Sequence, residues 1–486
     1  MRRASSGICL AATVALGGCN LAPAYAPPSL TLPTSYKETG PWTPASPADA
    51  APRGDWWTVY ADDTLNGLEQ RIETGNPDLA LALARYDEAR AYAAEARASQ
   101  YPEVDLGASA TTNRESANRP LRVGGPNYYG NDFAAATVSY EIDLWGRVRN
   151  LVAAGKYQAQ ASGADAASVR LSLEAQLADA YLSLRGLDAE AKLLADTTAA
   201  YTIALRLTET LHNGGAVAGL DVARAQTQLQ TAKAQQVDIG AQRALYEHEI
   251  AALVGQPASS FSIPPMAMLP TSPQVPVATP SVILQRRPDI AAAERRAAAA
   301  NAMIGVSRAA FYPSISLDAT GGFQNTGNGN LLTAANSWWT LGPTLAMTLF
   351  DGGRRKAALR AARDQFDEAG DSYRSTVLAA FQQVEDNLAL CNRLADEEAQ
   401  QAAAVAAARH AEDLAMIQYR QGEVTYLDVV TAQTIELQAE VTVLAIATRR
   451  LQAGVDLVRS LGGGWDVQSI RRAEGGAAAA RTPAAS

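Results

Sequence analysis

The chain has 486 residues, 48% of them hydrophobic but only 6% aromatic, and a formal net charge of −9. Alanine-rich, helix-favouring material of this length suits one elongated repeat architecture or two to three ordinary domains, and it excludes a thick aromatic core. The negative balance excludes wholesale phosphate binding, so no nucleic-acid partner is expected. The three histidines, His212, His248 and His410, are scattered without metal-ligand spacing.

Arg2 and Arg3 precede an apolar run from Ile8 to Leu16, and "LGGCN" follows. A short apolar stretch after basic residues reads as a secretory signal, not a membrane span. The small residues before Cys19 resemble the bacterial lipobox. That resemblance implies a signal peptide over residues 1–18 and a diacylglycerol and N-acyl chain on Cys19, with no other cofactor. Asn20 stands where an aspartate retains such lipoproteins at the inner membrane, so the expected location is the outer membrane, lipid-anchored and extending into the periplasm. Cys9 leaves with the signal and Cys19 is acylated, so Cys391 is left alone and no intramolecular disulfide is expected. Cys391 closes the stripe Val377, Phe381, Val384, Leu388, Cys391, a helix seam in which it reads as a small buried apolar residue.

Residues 19–58 read as an extended leader, with eight prolines between positions 20 and 55. Beyond it the chain repeats itself. "GAVAGLDVARAQT" from Gly215 and "GEVTYLDVVTAQT" from Gly422 match at eight of thirteen positions, offset by 207 residues. "YP" at Tyr101 recurs at Tyr312, "DLWGRVR" from Asp143 is echoed by "LFDGGRR" from Leu349, and "QLAD" from Gln176 by "QVED" from Gln383. The first repeat is read as 59–255 and the second as 287–465, with a linker over 256–286 and a disordered tail over 466–486.

Each repeat opens with a helix, from Asn76 to near Gln100 and from Pro288 to near Ala310. Asn76-Pro77 supplies an N-cap and a proline at the first helical position. A β-hairpin follows in each, over 102–144 and 313–350. Val104, Leu106, Ala108 and Ala110 alternate with Glu103, Asp105, Ser109 and Thr111. Ala134, Ala136, Val138, Tyr140 and Ile142 alternate with Thr137, Ser139 and Glu141. The second hairpin alternates likewise from Ile315 to Phe323 and from Trp339 to Leu349. Period two over about ten residues is a strand with one apolar face, and its length matches a membrane-crossing strand. Aromatic residues near the strand ends, among them Tyr101, Trp145, Tyr312, Trp338 and Phe350, fit the girdles of an outer-membrane barrel rather than a soluble hairpin.

Helical hairpins over 147–254 and 354–461 complete the repeats. Arg147 to Leu211 and Arg354 to Gln421 contain no proline, and helices of about 65 residues are about 100 Å long. Return helices of about 35 residues end at Gly255-Gln-Pro and Gly462-Gly-Gly, which carry helix-stop chemistry. A helix of about 25 residues plus one of about 35 nearly equals the long one, so two short helices stacked end to end can lie along it. Four strands cannot close a barrel, and open edges are not viable in lipid. Two copies give 8 strands, three 12 and four 16, all within the range of known barrels.

The stretch from Leu284 to Leu317, "LQRRPDIAAAERRAAAANAMIGVSRAAFYPSISL", resembles the hallmark segment of the TolC-like outer membrane efflux protein family, in its lipoprotein branch. "YLDVVTAQ" from Tyr426, "SLGGGW" from Ser460 and "DWWTVYADDTLNGLEQRI" from Asp55 extend the likeness to Trp465. The resemblance implies a mainly α fold with membrane β: a duplicated β-hairpin plus long α-helical hairpin. Three chains would form a 12-stranded outer-membrane barrel continued by a periplasmic α-helical barrel, with residues 256–286 in an equatorial belt. It also implies a homotrimer that works with a periplasmic adaptor protein and an inner-membrane RND-type transporter in outer-membrane lipid.

The function expected is a gated duct for small organic compounds or drugs, with type I protein secretion or a passive porin as the alternatives. The duct must close at rest, and the helical turns can pinch together. Leu220 and Leu427 are the expected plugs. Asp221 and Asp428 supply carboxylate rings or simply stabilise first helical turns. Arg224 and Arg420 are the nearby cations. Tyr426 and Thr431 mark where the second turn departs from the first, and many relatives carry an acid at the position of Thr431. Gly214, Gly215, Gly422 and Glu423 form the turns and the expected adaptor contact. An enzyme is not expected, for want of a nucleophile–histidine–acid set, metal spacing or phosphate loop.

Overall fold

The computed structural model describes residues 20–30, 35–38, 55–118, 127–270, 286–326 and 329–463. Its elements in chain order are α1 (Asp63–Gly75), α2 (Pro77–Ala98), β1 (Glu103–Arg114), β2 (Tyr128–Glu141), α3 (Arg147–Asn213), α4 (Gly219–Leu253), α5 (Pro288–Ala309), β3 (Ser314–Asn325), β4 (Ser337–Ala346), α6 (Arg354–Gln421) and α7 (Tyr426–Ser460). The succession of helix, two strands, long helix and return helix thus occurs twice. The paired elements match closely in length: 22 residues in α2 and α5, 67 and 68 in α3 and α6, 35 in α4 and α7.

The chain divides into two compact units. The first falls within Met1–Ser29, Arg85–Ser162 and Ala292–Arg374, and holds the sheet. Its four strands are antiparallel in the order β1-β2-β3-β4, so the two hairpins join through β2 and β3. The register aligns the apolar alternation of all four. Val104 faces Val138, Val138 faces Ala319 and Ala319 faces Leu341. The next row of the same face is Leu106, Ala136, Gly321 and Trp339. Because side chains alternate with period two, these rows share one surface, and Leu106 and Trp339 are 84% and 78% exposed on it. Polar residues fill the rows between, as in Asp105, Thr137, Thr320 and Thr340. Pairing in β4 stops at Ala346 opposite Ser314, so the alternation that continues to Leu349 in sequence outlasts the ladder. Leader residues also lie in this unit. Arg308 donates to Leu21 O at 3.1 Å, Asn301 Nδ2 to Pro23 O at 2.9 Å, and the Tyr25 hydroxyl to Glu294 Oε1 at 2.9 Å.

The second unit falls within Leu30–Ala84, Gly163–Ala291 and Ser375–Ser486. Its main core joins Trp57, Tyr60, Leu65, Leu68 and Ile72 to Leu177, Tyr181, Leu184, Ile250, Leu451 and Val455. Along α3, Leu173, Leu177, Ala180, Leu184, Leu187, Ala191 and Leu194 follow a heptad spacing; all but the half-buried Leu187 and Ala191 are buried, as are Val377, Val384, Leu388 and Cys391 of the stripe on α6, where Phe381 is half-buried. Burial pushes the Cys391 thiol up to about 11, so it is an inert core residue. Helix α1, capped by the Asp62 side chain, is an element that sequence patterning had not separated from its surroundings. Its apolar residues reach the core only because α3, α4 and α7 surround them.

The short helices meet end to end in both repeats. Asn76 caps α2 by accepting from the N–H groups of Asp78 and Leu79, while its Nδ2 donates to Leu253 O at the end of α4, at 2.8 Å. In the second repeat, Arg287 just before α5 donates to Ser460 O at the end of α7, at 3.0 Å, and forks onto Asp289 at 3.0 and 2.7 Å. The "RRPD" and "SLGGG" motifs therefore face each other. A Cβ on Gly462 would fall 3.0 Å from Arg286 O, which leaves no room there for a larger residue.

A buried network fixes the chain after α4. Arg185 donates to Asp188 at 2.9 Å, to Pro264 O at 2.8 Å and to the Tyr181 hydroxyl at 2.8 Å. Arg243 donates to Asp188 at 2.6 Å and to Ile263 O at 2.6 Å. A charge this deep is tolerable only when it is paired and its remaining donors are satisfied, as they are here.

Candidate functional site

The two helical turns share one backbone solution. Gly215 N–H donates to His212 O and Ala216 N–H to Leu211 O, both at 2.8 Å. In the second turn Gly422 N–H donates to Tyr419 O at 3.0 Å and Glu423 N–H to Gln418 O at 2.9 Å. Paired bonds of this kind form a Schellman motif, which needs a left-handed residue after the helix. Gly215 and Gly422 both have φ of 77°. Gly214 precedes the first of them and donates to Thr210 O at 3.0 Å. The duplicated sequence thus encodes a duplicated helix stop.

The helices that leave the turns begin differently. Asp428 Oδ2 accepts from Thr425 N–H at 3.0 Å and from the Thr425 hydroxyl at 2.9 Å, which fixes the start of α7. Ala218 offers α4 no side-chain cap. There the Asp221 carboxylate accepts from Arg224, one turn along the same helix, at 3.4 Å. The two carboxylates occupy equivalent sequence positions, yet one holds a cap and the other an ion pair.

Behind the turns, side chains from both hairpins pack together. Tyr426 is 1% exposed and meets Tyr419 edge to face, with ring centroids 5.2 Å apart. Ala225 and Val429 complete the buried cluster, and Leu205, Leu211 and Val217 pack against it. Burial pushes the Tyr426 hydroxyl up to about 12, with Tyr419 adding to the effect. Farther along, Gln228 Nε2 donates to the Tyr201 hydroxyl at 3.2 Å and to Thr434 Oγ1 at 3.1 Å, and Tyr201 donates to Gln433 O at 3.3 Å. Next to this lattice Glu436 is raised to about 7 by burial and then by Glu440 and Glu412, with Arg409 opposing.

Leu220 and Leu427 are 59% and 48% exposed in the protomer, apolar side chains held at the starts of α4 and α7. Thr431 turns its hydroxyl back to Leu427 O at 2.8 Å. Glu423 is exposed, and Arg420 is exposed with no ion-pair partner among the described residues. Arg224 is paired within its own helix, and Tyr426 is a packing residue rather than a free one. Cys19 lies outside the described residues.

Sequence reasoning had not singled out Tyr201, Tyr419, Gln228 or Glu436. Gln433 and Thr434 belong to the duplicated "AQT" and were visible as part of the repeat. The others carry no local signal, because their partners are on different helices.

The family model for outer membrane efflux proteins matches residues 68–256 and again residues 279–463. The chain belongs to the outer membrane efflux protein family. This efflux protein is 32% identical over 471 residues to outer membrane protein OprJ of Pseudomonas aeruginosa, covering 96% of this chain and 97% of OprJ. It is 31% identical over 458 residues to the toluene efflux pump outer membrane protein TtgC of Pseudomonas putida, covering 93% of this chain and 94% of TtgC. Among solved structures it matches the outer-membrane channel OprN with a TM-score of 0.84 at 30% identity, covering 92% of this chain and 100% of that one. The efflux protein has the fold of these channels and is an outer-membrane component of an efflux system. Its family is one of channel proteins rather than enzymes.

Proposed function

We propose that three copies of this efflux protein share one 12-stranded barrel and form a gated duct through the outer membrane and the periplasm. Acyl chains on Cys19 anchor it. An inner-membrane RND-type transporter, joined through a periplasmic adaptor protein, drives small organic compounds or drugs along it. The observation that carries this reading is the sheet. Its apolar rows are exposed, and β1 and β4 have one unpaired edge each among the described residues. Unpaired edges are not tolerated in hydrocarbon, and bacterial single-chain barrels start at eight strands. Copies of the chain must therefore lend strands to one another. Helices of 67 and 68 residues supply about 100 Å of length at 1.5 Å per residue, and a channel confined to the membrane has no use for them.

The turns form the gate in this reading. Leu220 and Leu427 plug the opening, Asp221 and Asp428 ring it with carboxylates, and Arg224 and Arg420 are the cations within reach. Gly214, Gly215, Gly422 and Glu423 present the turn surface to the adaptor. The toluene pump in the name of one relative supports a small organic cargo.

Two measurements test the proposal. Val104→Cys combined with Leu345→Cys on the outer strands is expected to cross-link into a ladder that stops at three chains, and a ladder that stops elsewhere refutes the trimer. Deleting the gene is expected to raise intracellular accumulation of an aromatic solvent or dye. Unchanged accumulation with loss of a secreted protein instead refutes the small-molecule reading in favour of protein secretion.

A further inference from the structure

We propose that Phe133 and Trp338 form an aromatic platform on the inner wall of the barrel, where flat aromatic cations rest during export. The inference rests on the proposed reading of the sheet as part of a shared barrel that carries small organic cargo.

Trp338 and Trp339 are neighbours in β4, so they point to opposite faces of the sheet. Trp339 stands in the exposed apolar row with Leu106, Ala136 and Gly321, where an aromatic ring suits lipid. Trp338 lies in the row of Gly107, Ala135 and Gly322 on the polar face, next to the row of Asp105, Thr137, Thr320 and Thr340. The girdle expected from sequence therefore does not hold Trp338. Phe133 shares the polar face, paired with Ser109 and Gln324. In a closed barrel whose apolar rows meet lipid, the polar face is the wet interior.

The two rings meet although β3 runs between their strands. Their centroids are 5.9 Å apart, with planes at 35°. At this point β3 presents Gly322, where a Cβ would fall 2.1 Å from Ala134 O and 2.6 Å from Ala135 Cβ. Only glycine fits there, and it puts no side chain between the rings. Phe133 and Trp338 are both half-buried, so part of each residue remains accessible. Lipid contact does not account for rings on a water-facing wall, whereas stacking on a flat organic molecule does.

The charge of the same wall selects cations. The three rows between the aromatic pair and the helices carry Glu103, Asp105, Glu141 and Asp318. Arg147 of α3 neutralises Glu141, with Nε 2.7 Å from Oε1. Asp318 is held in place by the Ser316 and Ser139 hydroxyls, at 2.7 and 3.1 Å. Arg114, the one basic residue of the described strands, falls on the opposite face. Glu103, Asp105 and Asp318 thus keep their negative charge on the wall. Carboxylates that line a narrow wet passage concentrate cations in it, and a cation gains further from the face of an indole. Cargo that arrives from the helices meets the acids first and the rings next. An aliphatic cation finds nothing to stack on, and an aromatic anion is repelled.

The test records the full-length protein in planar bilayers, with ethidium as the aromatic cation and tetrabutylammonium as the aliphatic one, each added to either side. Wild type is expected to conduct potassium chloride and to show interruptions by ethidium that outlast those by tetrabutylammonium about tenfold. Phe133→Leu combined with Trp338→Leu should shorten the ethidium dwell about tenfold and leave its association rate unchanged. Trp338→Phe, which keeps a ring, should retain most of the dwell. A triple variant with Glu103→Gln, Asp105→Asn and Asp318→Asn should instead slow association, most of all at low salt, while the dwell persists. Potassium chloride conductance in each record shows that the variant has folded and inserted. If the double variant gives no channels, Trp338→Leu alone must shorten the dwell. Conducting wild type that ethidium does not interrupt, equal dwells for the two cations, or an undiminished dwell in the leucine variants overturns the platform alone. An unchanged association rate in the triple variant overturns the selection of cations. Wild type that does not conduct overturns the barrel reading and the platform with it.

Discussion

Glu69 offers a direct test of the core of the second unit. It lies on α1, is 1% exposed, and neither carboxylate oxygen has a hydrogen-bond partner. The neighbouring Glu174 is engaged elsewhere, accepting from Arg170 at 2.7 Å and from Trp56 Nε1 at 3.1 Å. Burial, and then the charge of Glu174, raise the Glu69 carboxyl from 4.5 to about 10. The folded state therefore holds a proton that the open state releases. With the folded pKa above the unfolded one, this contribution to stability is fully present below about pH 4.5 and is lost as pH rises toward about 10. Each pH unit within that window costs at most about 1.4 kcal/mol. Between about pH 5.5 and pH 8, α1 should lose at most about 3.5 kcal/mol of protection against opening. Glu69→Gln imitates the protonated form and should remove the share of the slope that belongs to Glu69, leaving that of Asp179 on α3, which burial raises to about 7. Hydrogen exchange of the amides from Leu65 to Ile72, corrected for intrinsic exchange, measures it in wild type and variant. Equal slopes in the two proteins refute the assignment of a neutral, buried Glu69.

Three further outcomes follow from the geometry. Leu427→Ala or Asp428→Ala should raise single-channel conductance in planar bilayers. Asp428→Ala should also fray the start of α7 by about 1 kcal/mol through loss of its capping contact, and an unchanged conductance record removes both residues from the gate. Gly422→Ala forces a Cβ into a left-handed conformation, at a cost of about 1–2 kcal/mol. It should speed proteolytic nicking at the second turn, whereas equal nicking in wild type shows that the turn tolerates a side chain. Arg287→Lys cannot fork onto Asp289 while reaching Ser460 O. It should weaken protection at the end of α7 by about 1–3 kcal/mol, read by hydrogen exchange at Leu457 to Leu461.

Much of the fold was legible because its signals are local and periodic. The alternation from Val104 to Ala110 and from Ala134 to Ile142 marks strands without reference to any partner. The proline-free runs from Arg147 and Arg354 mark long helices. Asn76-Pro77 and the glycines at 215, 255, 422 and 462 mark where helices start and stop, and the same chemistry appears in the structure at those positions. Helix α1 was not legible, because its apolar residues acquire meaning only against α3, α4 and α7. At the turns, sequence marked the positions of Leu220, Asp221, Leu427 and Asp428 but not their states. Nothing local says that Asp428 caps Thr425 while Asp221 meets Arg224, or that Tyr426 turns inward to Tyr419.

The glycine stops and the succession of strands, long helix and return helix in each copy were readable from sequence because each depends on residues within a few positions of one another, and the duplication was readable because two such local patterns recur at an offset of 207 residues. The tertiary structure decided the rest: the β2–β3 seam that joins the two hairpins, the meeting of Arg287 with Ser460, the burial of Glu69, and the meeting of Phe133 with Trp338. Each of these depends on groups far apart in the chain, whose energies are set by who lies opposite and by how much water is excluded. A single stretch of sequence records neither.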